Sequence, residues 1–278
     1  YILKPSVNHR GFFIFVLMKQ SLKEMQLLLI RLSIALLAYP LSKIIFFLFN
    51  HTYFSDISFT DFLSVLFFGL RFDISALALM NAPFIVLHIV PFDFTKRKWY
   101  QVILKAVFLI VNSVSILADG IDLEYYKFTF KRTTADFFDL FGLGSDISTM
   151  LPQYVKDFWY IALIWIALTV LIAYLYNFTV SPALSFQETE KNRTGLRILS
   201  WFGINGLFIG LCIVAFRGGL QLRPIMTINA AEYVSAKNIP LIVNTSFSII
   251  KSFDLEKLEE KNYFPESELK KIFTPVNS

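Results

Sequence analysis

The stretch Phe158 to Tyr176, FWYIALIWIALTVLIAYLY, runs for 19 residues without a charge, a proline or a glycine. A helix of that length covers about 28 Å, close to the hydrocarbon thickness of a bilayer. It is apolar on every face, so no single stripe is reserved for a protein core, and lipid is its natural solvent.

Four further blocks of the same character stand along the chain, at about Gln26 to Phe49, within Phe59 to Val90, at Tyr100 to Ala118 and at Leu196 to Phe216. The second is longer than a bilayer requires. Counting back about 20 residues from Val90 puts its outer boundary near Arg71, with Phe59 to Leu70 as an interfacial extension. The composition agrees, with 55% hydrophobic residues, 17% charged, 31 Phe and a mean hydropathy of +0.57. The sequence therefore predicts an all-α membrane protein of five transmembrane helices.

Lysine and arginine set the expected orientation. Lys4, Arg10, Lys19 and Lys23 precede the first block, Lys96, Arg97 and Lys98 follow the second, and Lys191, Arg193 and Arg197 flank the fifth. These belong in the cytosol. The loop His51 to Thr60 has no Lys or Arg, and the loop Asp119 to Lys156 sets Lys127, Lys131 and Arg132 against Asp119, Asp122, Glu124, Asp136, Asp139 and Asp146. Both belong outside, giving an N-terminus inside and a C-terminus outside. Phe128, Phe130, Phe137, Phe138 and Phe141 predict short interfacial helices on the outer side. Trp99, Tyr100, Trp159 and Tyr160 stand at block ends, where amphipathic rings favour the interface.

Three segments follow from this reading. Residues 1–25 form a cytoplasmic N-terminal segment, in which Met18 is a plausible start and 1–17 upstream sequence. Residues 26–216 form the five-helix transmembrane domain, whose first span is a retained anchor. Residues 217–278 form an extracytoplasmic connector, with a charged run at Asp254 to Lys261 and a short helix at Pro265 to Phe273.

The net charge of +5 comes without a basic stripe interleaved with aromatics, so nucleic acid is excluded as a partner. Cys212 lies inside an apolar block and reads as a small membrane-core residue. His9 and His88 fall on one side of the expected membrane and His51 on the other, which rules out a shared metal site. No phosphate-binding glycine loop, cysteine pair or nucleophile elbow occurs. Asn81-Ala82-Pro83 predicts a helix kink rather than an ion site.

Ionisable residues at or within the membrane need partners. Arg71 and Asp73, in GLRFD at 69–73, point to different faces of a helix and pair elsewhere, with Asp119 or Asp122 as geometrically reasonable partners for Arg71. The alternatives are a helix-to-helix ion pair and a lipid headgroup site. Arg217-Gly218-Gly219-Leu220-Gln221-Leu222-Arg223-Pro224 follows the fifth block. Paired glycines allow close backbone approach and guanidinium groups bind phosphate bidentately, so the segment is either an anionic-lipid cradle or a tight exit turn with snorkelling arginines. Arg132 is a weaker member of this outer basic set.

Taken in order, GLRFD at 69–73, Ala118-Asp119-Gly120, Arg217-Gly218-Gly219 through Arg223-Pro224, and Asn244-Thr245-Ser246-Phe247-Ser248 resemble the membrane half of the lipoteichoic acid synthase family, within the sulfatase and alkaline phosphatase superfamily. The resemblance covers roughly Met18 to the C-terminus. It implies a bacterial cytoplasmic membrane protein that anchors an extracytoplasmic catalytic domain transferring phosphoglycerol, or a related headgroup, from a phospholipid to a glycolipid or glycan. Family members carry a threonine nucleophile and a divalent metal such as manganese in that domain. These 278 residues contain neither that domain nor its Asp and His cluster, so no cofactor and no catalytic residue is expected among them. The headgroup-binding candidates are Arg71, Asp73, Asp119, Arg132, Arg217 and Arg223. The implied partners are an anionic phospholipid and the catalytic domain. A non-catalytic anionic-lipid sensor is the rival reading; a solute transporter would require polar midplane residues and repeated halves.

Overall fold

The structure is a computed structural model that describes residues 9–90, 93–138, 153, 156–179 and 194–253, with side chains described outside 9–21, 93, 96 and 194–201. Expectations for 254–261, 265–273, Asp139, Phe141, Asp146, Lys191 and Arg193 lie outside the described residues, as does the side chain of Arg197.

Every regular element among the described residues is helical. Helix α1 spans His9–Phe49, α2 Phe59–Met80, α3 Ala82–Ile89, α4 Lys98–Thr129, α5 Trp159–Asn177 and α6 Thr194–Arg217. Two short helices, α7 (Ile239–Ile242) and α8 (Thr245–Phe253), follow a 3-10 turn at Thr227–Glu232. Among the described residues four helices are long and apolar enough to cross a membrane: α1 over Leu22–Phe49, α2, α4 and α5, while the apolar part of α6, Phe202–Arg217, is shorter. This is a multi-pass membrane protein by helix length and composition.

Side-chain exposure explains why these helices assemble as they do. Only 11% of the apolar window of α5 is buried against protein, and Leu163, Ile166 and Val170 are each half or more exposed. Such a surface would be costly in water and costs nothing against lipid tails. The contacts that do form are specific. The Trp165 indole donates to Ser113 Oγ at 2.9 Å, and Phe108 meets Tyr176 with ring centroids 4.9 Å apart, joining α5 to α4. At the other end of α4, Tyr126 packs on Phe46 and Phe54.

Two expectations are refined. The predicted second block is two helices, broken at Asn81, with Pro83 in the first turn of α3 where its missing N–H costs nothing. Asn81 and Asn112 then exchange side-chain hydrogen bonds at 3.2 and 2.9 Å, joining the break to α4. The third block does not end at Ala118. Helix α4 continues to Thr129, so Asp119, Asp122, Glu124 and Lys127 are helical rather than loop residues. Phe128 lies in its last turn and Phe130 is its left-handed C-cap (φ 54°). The extension places Asp119 and Asp122 three residues apart on one helix face, where both are buried.

Candidate functional site at the start of helix α8

The C-terminal end of α1, the middle of α2 and the last turns of α4 meet the segment 225–253. Ile225, Ala230, Leu241, Ile242, Val243 and Phe247 of that segment are buried. Its polar residues are buried too, and they meet the ionisable residues of the helices.

The first contact is built on Asp73. Its carboxylate lies 2.7 and 2.8 Å from Lys43 Nζ of α1, with both side chains at most 1% exposed. The Asn244 side-chain amide donates to the same carboxylate at 2.7 Å. The Asn244 carbonyl oxygen accepts the Phe247 N–H at 2.7 Å, so one side chain caps α8 and ties it to α2. Gly69 makes this approach possible, since a Cβ there would come within 2.5 Å of Lys43 Nζ and 3.1 Å of the Ile242 carbonyl oxygen.

The second contact joins α4 to the same helix. Asp119 accepts the Thr245 N–H at 3.0 Å, and Asp122 accepts the Thr245 hydroxyl at 2.5 Å. Both carboxylates thus face the N-terminus of α8, where the exposed N–H groups favour negative charge. Asp122 also accepts the N–H and the hydroxyl of Thr133, at 3.0 and 2.5 Å. Arg132 closes the cluster. Its Nη1 is 3.5 Å from Asp122 and 4.0 Å from Asp119, its Nε donates to the Pro240 carbonyl at 2.8 Å, and its guanidinium carbon sits 3.6 Å above the Phe46 ring.

Arg71 stands apart from this network. It donates to the Gly218 carbonyl at 2.7 Å, the Tyr233 hydroxyl at 2.7 Å and Gln221 Oε1 at 3.0 Å. The expected partnership with Asp119 or Asp122 is therefore corrected: those carboxylates take Thr245, Thr133 and Arg132, and Arg71 turns to the segment that follows α6. Arg71 and Asp73 do point to different neighbours, as their spacing requires. Asp73 orients Lys43 and Asn244 rather than an arginine.

The segment after α6 is a tight turn. Gly218 (φ 74°) and Gly219 (φ 138°) adopt backbone conformations that favour glycine. Arg217 donates to the carbonyls of Gln221 and Leu222 at 3.0 and 2.7 Å, while Gln221 donates back to the Arg217 carbonyl at 2.9 Å. Arg223 is exposed, and so are Leu220 and Leu222, at 89% and 97%. Three of the five N–H groups of Arg71 are used within the protein.

Of the six sequence candidates, Asp73, Asp119 and Arg132 belong to one buried network around the start of α8, and Arg71 and Arg217 hold the glycine turn. Lys43, Thr133, Tyr233 and Gln221 were not singled out by sequence reading. A lone lysine inside an apolar block was the available signal for Lys43. Among the described residues no group of three or more His, Cys, Asp or Glu is placed to hold a metal. No family model, curated protein or solved structure matches the chain.

Proposed function

We propose that this chain is the membrane half of an extracytoplasmic phospho-headgroup transferase of the kind it resembles. In this reading it is a five-span domain of a bacterial cytoplasmic membrane, with the N-terminus inside, and α6 is the fifth span. The observation that carries the proposal is the buried network joining Asp73, Asp119, Asp122 and Arg132 to Asn244 and Thr245. A chain leaving a membrane through a flexible linker has no need of such contacts. Here α8 is capped by Asn244, tied through it to Asp73 of α2, and faced at its N-terminus by Asp119 and Asp122 of α4, which fixes the direction of α8 against the bundle. That is what a catalytic domain acting on membrane-embedded substrate requires, because reacting groups must be held at a set height and angle.

The glycine turn supplies the lipid-facing part of the proposal. Leu220 and Leu222 project from it alongside Arg223, a pairing of apolar and cationic groups that suits the boundary between acyl chains and phosphates. An anionic phospholipid would meet Arg223 and the unused N–H groups of Arg71 and Arg217. Asp73 and Asp119 serve this site indirectly, by fixing α2 and α8 around it. Any divalent metal belongs to the catalytic domain.

The test uses the full-length protein in liposomes. Arg217→Ala combined with Arg223→Ala is expected to weaken anionic-lipid binding and headgroup turnover together; unchanged binding and turnover would remove the lipid site from the proposal. Thiol labelling of Cys introduced at Lys96 and at Phe253 is expected to find them in opposite compartments. Finding them in the same one would end the five-span reading.

A further inference from the structure

The opposite end of the bundle holds a further buried ionisable residue, and its surroundings differ from those around the start of α8. Arg31 of α1 is 0% exposed. Its Nε donates to Thr179 Oγ1 at 3.2 Å and its Nη2 to Gln101 Oε1 at 3.3 Å, and its guanidinium carbon lies 4.5 Å from the centre of the Tyr176 ring. Nη1 has no hydrogen-bond partner, and neither does the buried hydroxyl of Tyr176. His88 of α3 lies within electrostatic range.

Arginine stays protonated in any protein environment, so this is a permanent buried cation. Such a charge is tolerated when a carboxylate answers it, as Asp73 answers Lys43 at 2.7 Å and Asp122 answers Arg132 at 3.5 Å. Among the described residues no carboxylate contacts Arg31. Its two hydrogen bonds go to neutral acceptors and are longer than the 2.7–2.9 Å expected of charge-assisted bonds. Two orphaned polar atoms on directly stacked side chains, one cationic and one hydroxylic, call for an acceptor that carries negative charge.

We infer that Arg31 and Tyr176 form an anion site that takes a phosphate-type oxyanion, with Gln101 and Thr179 fixing the guanidinium plane. Arg31 lies near the membrane edge, because Gln101 is in the first turn of α4, His88 in the last turn of α3 and Thr179 just beyond α5. Lys98 and Arg97 at the start of α4 and Lys105, bonded to Asn177 at 2.8 Å, add positive charge at the same end. Helix ends part more easily than helix middles, which gives a ligand a way in. Two sources offer this chemistry: the phosphodiester of a phospholipid in the adjoining leaflet, and free phosphate. The site stands independently of the lipid role proposed for Arg217 and Arg223.

The experiment measures thermal unfolding of the whole protein in phosphatidylcholine nanodiscs, with phosphatidylglycerol doped in or with inorganic phosphate added at matched ionic strength. At about tenfold excess over Kd, the wild type is expected to gain roughly 3 °C or more in Tm. With Arg217→Ala and Arg223→Ala introduced to silence the other proposed lipid site, a gain with phosphatidylglycerol alone identifies the lipid headgroup, and a gain with inorganic phosphate identifies the free anion. In that background Arg31→Gln and Tyr176→Phe are expected to lose the gain, while Lys237→Gln, whose side chain is exposed and pairs with Asp56, keeps it. No gain in the wild type from either source overturns the inference. So does an undiminished gain in Tyr176→Phe, which decides the matter even if Arg31→Gln does not fold.

Discussion

Asn244 donates its amide to Asp73 at 2.7 Å while its carbonyl oxygen caps the helix that begins at Thr245. One side chain therefore carries two tasks, the start of α8 and the attachment of α8 to α2. Removing it should uncouple both.

Asn244→Ala removes a helix cap and a hydrogen bond to a buried carboxylate. The expected loss is about 2–4 kcal/mol, the sum of a cap and a charge-assisted bond. Unfolding in detergent measures it, and limited proteolysis near Phe253 should accelerate in the same variant. An unchanged cleavage rate would show that α8 is held by something other than this contact.

Lys43→Met leaves Asp73 buried without its cation, at a cost of about 3–5 kcal/mol. The double variant Lys43→Met with Asp73→Leu should be less destabilised than the sum of the single changes, because each removes the other's liability. A double-mutant cycle with no coupling would contradict the 2.7 Å ion pair.

Gly69 and Gly218 should resist substitution for different reasons. Gly69→Ala forces Lys43 or the Ile242 carbonyl to move, at about 1–3 kcal/mol. Gly218→Ala puts a side chain at φ 74° and into Ile225, so the turn held by Arg71 should open. Unfolding transitions of the two variants report the first, and accelerated hydrogen exchange over 217–225 the second.

Acid should loosen one surface clamp. Lys237 donates to Asp56 at 2.8 Å, and this hydrogen bond holds the Asp56 carboxyl below the ordinary carboxylate range. A carboxyl whose folded value is depressed stabilises the fold above its ordinary value, and that contribution disappears as pH falls through the lowered one. Both groups are exposed, so the effect is small and salt-sensitive. Hydrogen exchange over 236–238 should rise on acidification relative to Asp56→Asn, which lacks the clamp at every pH.

The long helices were legible because lipid imposes a length and a uniform polarity, and FWYIALIWIALTVLIAYLY satisfies both without reference to any other part of the chain. The break at Asn81 was legible for a similar reason, since Pro83 acts locally. The partners of the buried charges were not. Asp119 looked like a loop residue because its block of apolar residues stops at Ala118, and only the continuation of α4 to Thr129 shows that it faces Thr245, 126 residues away in sequence. Arg71 showed that it needed a partner, and nothing in its neighbours revealed that a backbone carbonyl at Gly218 would serve. Lys43 and Arg31 were overlooked inside the first block because a single charge barely lowers the hydropathy of a long window. Within a bilayer, that single charge carries more information than the twenty residues around it.

The reciprocal amide pair of Asn81 and Asn112 works as an indexing pin. A slide by one residue would turn either amide by about 100° and leave both facing alkane. Side-by-side association of these two segments is thus allowed in one alignment and rejected in its neighbours. During membrane insertion, when apolar surfaces alone offer many near-equivalent arrangements, such a pin would select the native one before the contacts with segment 225–253 exist.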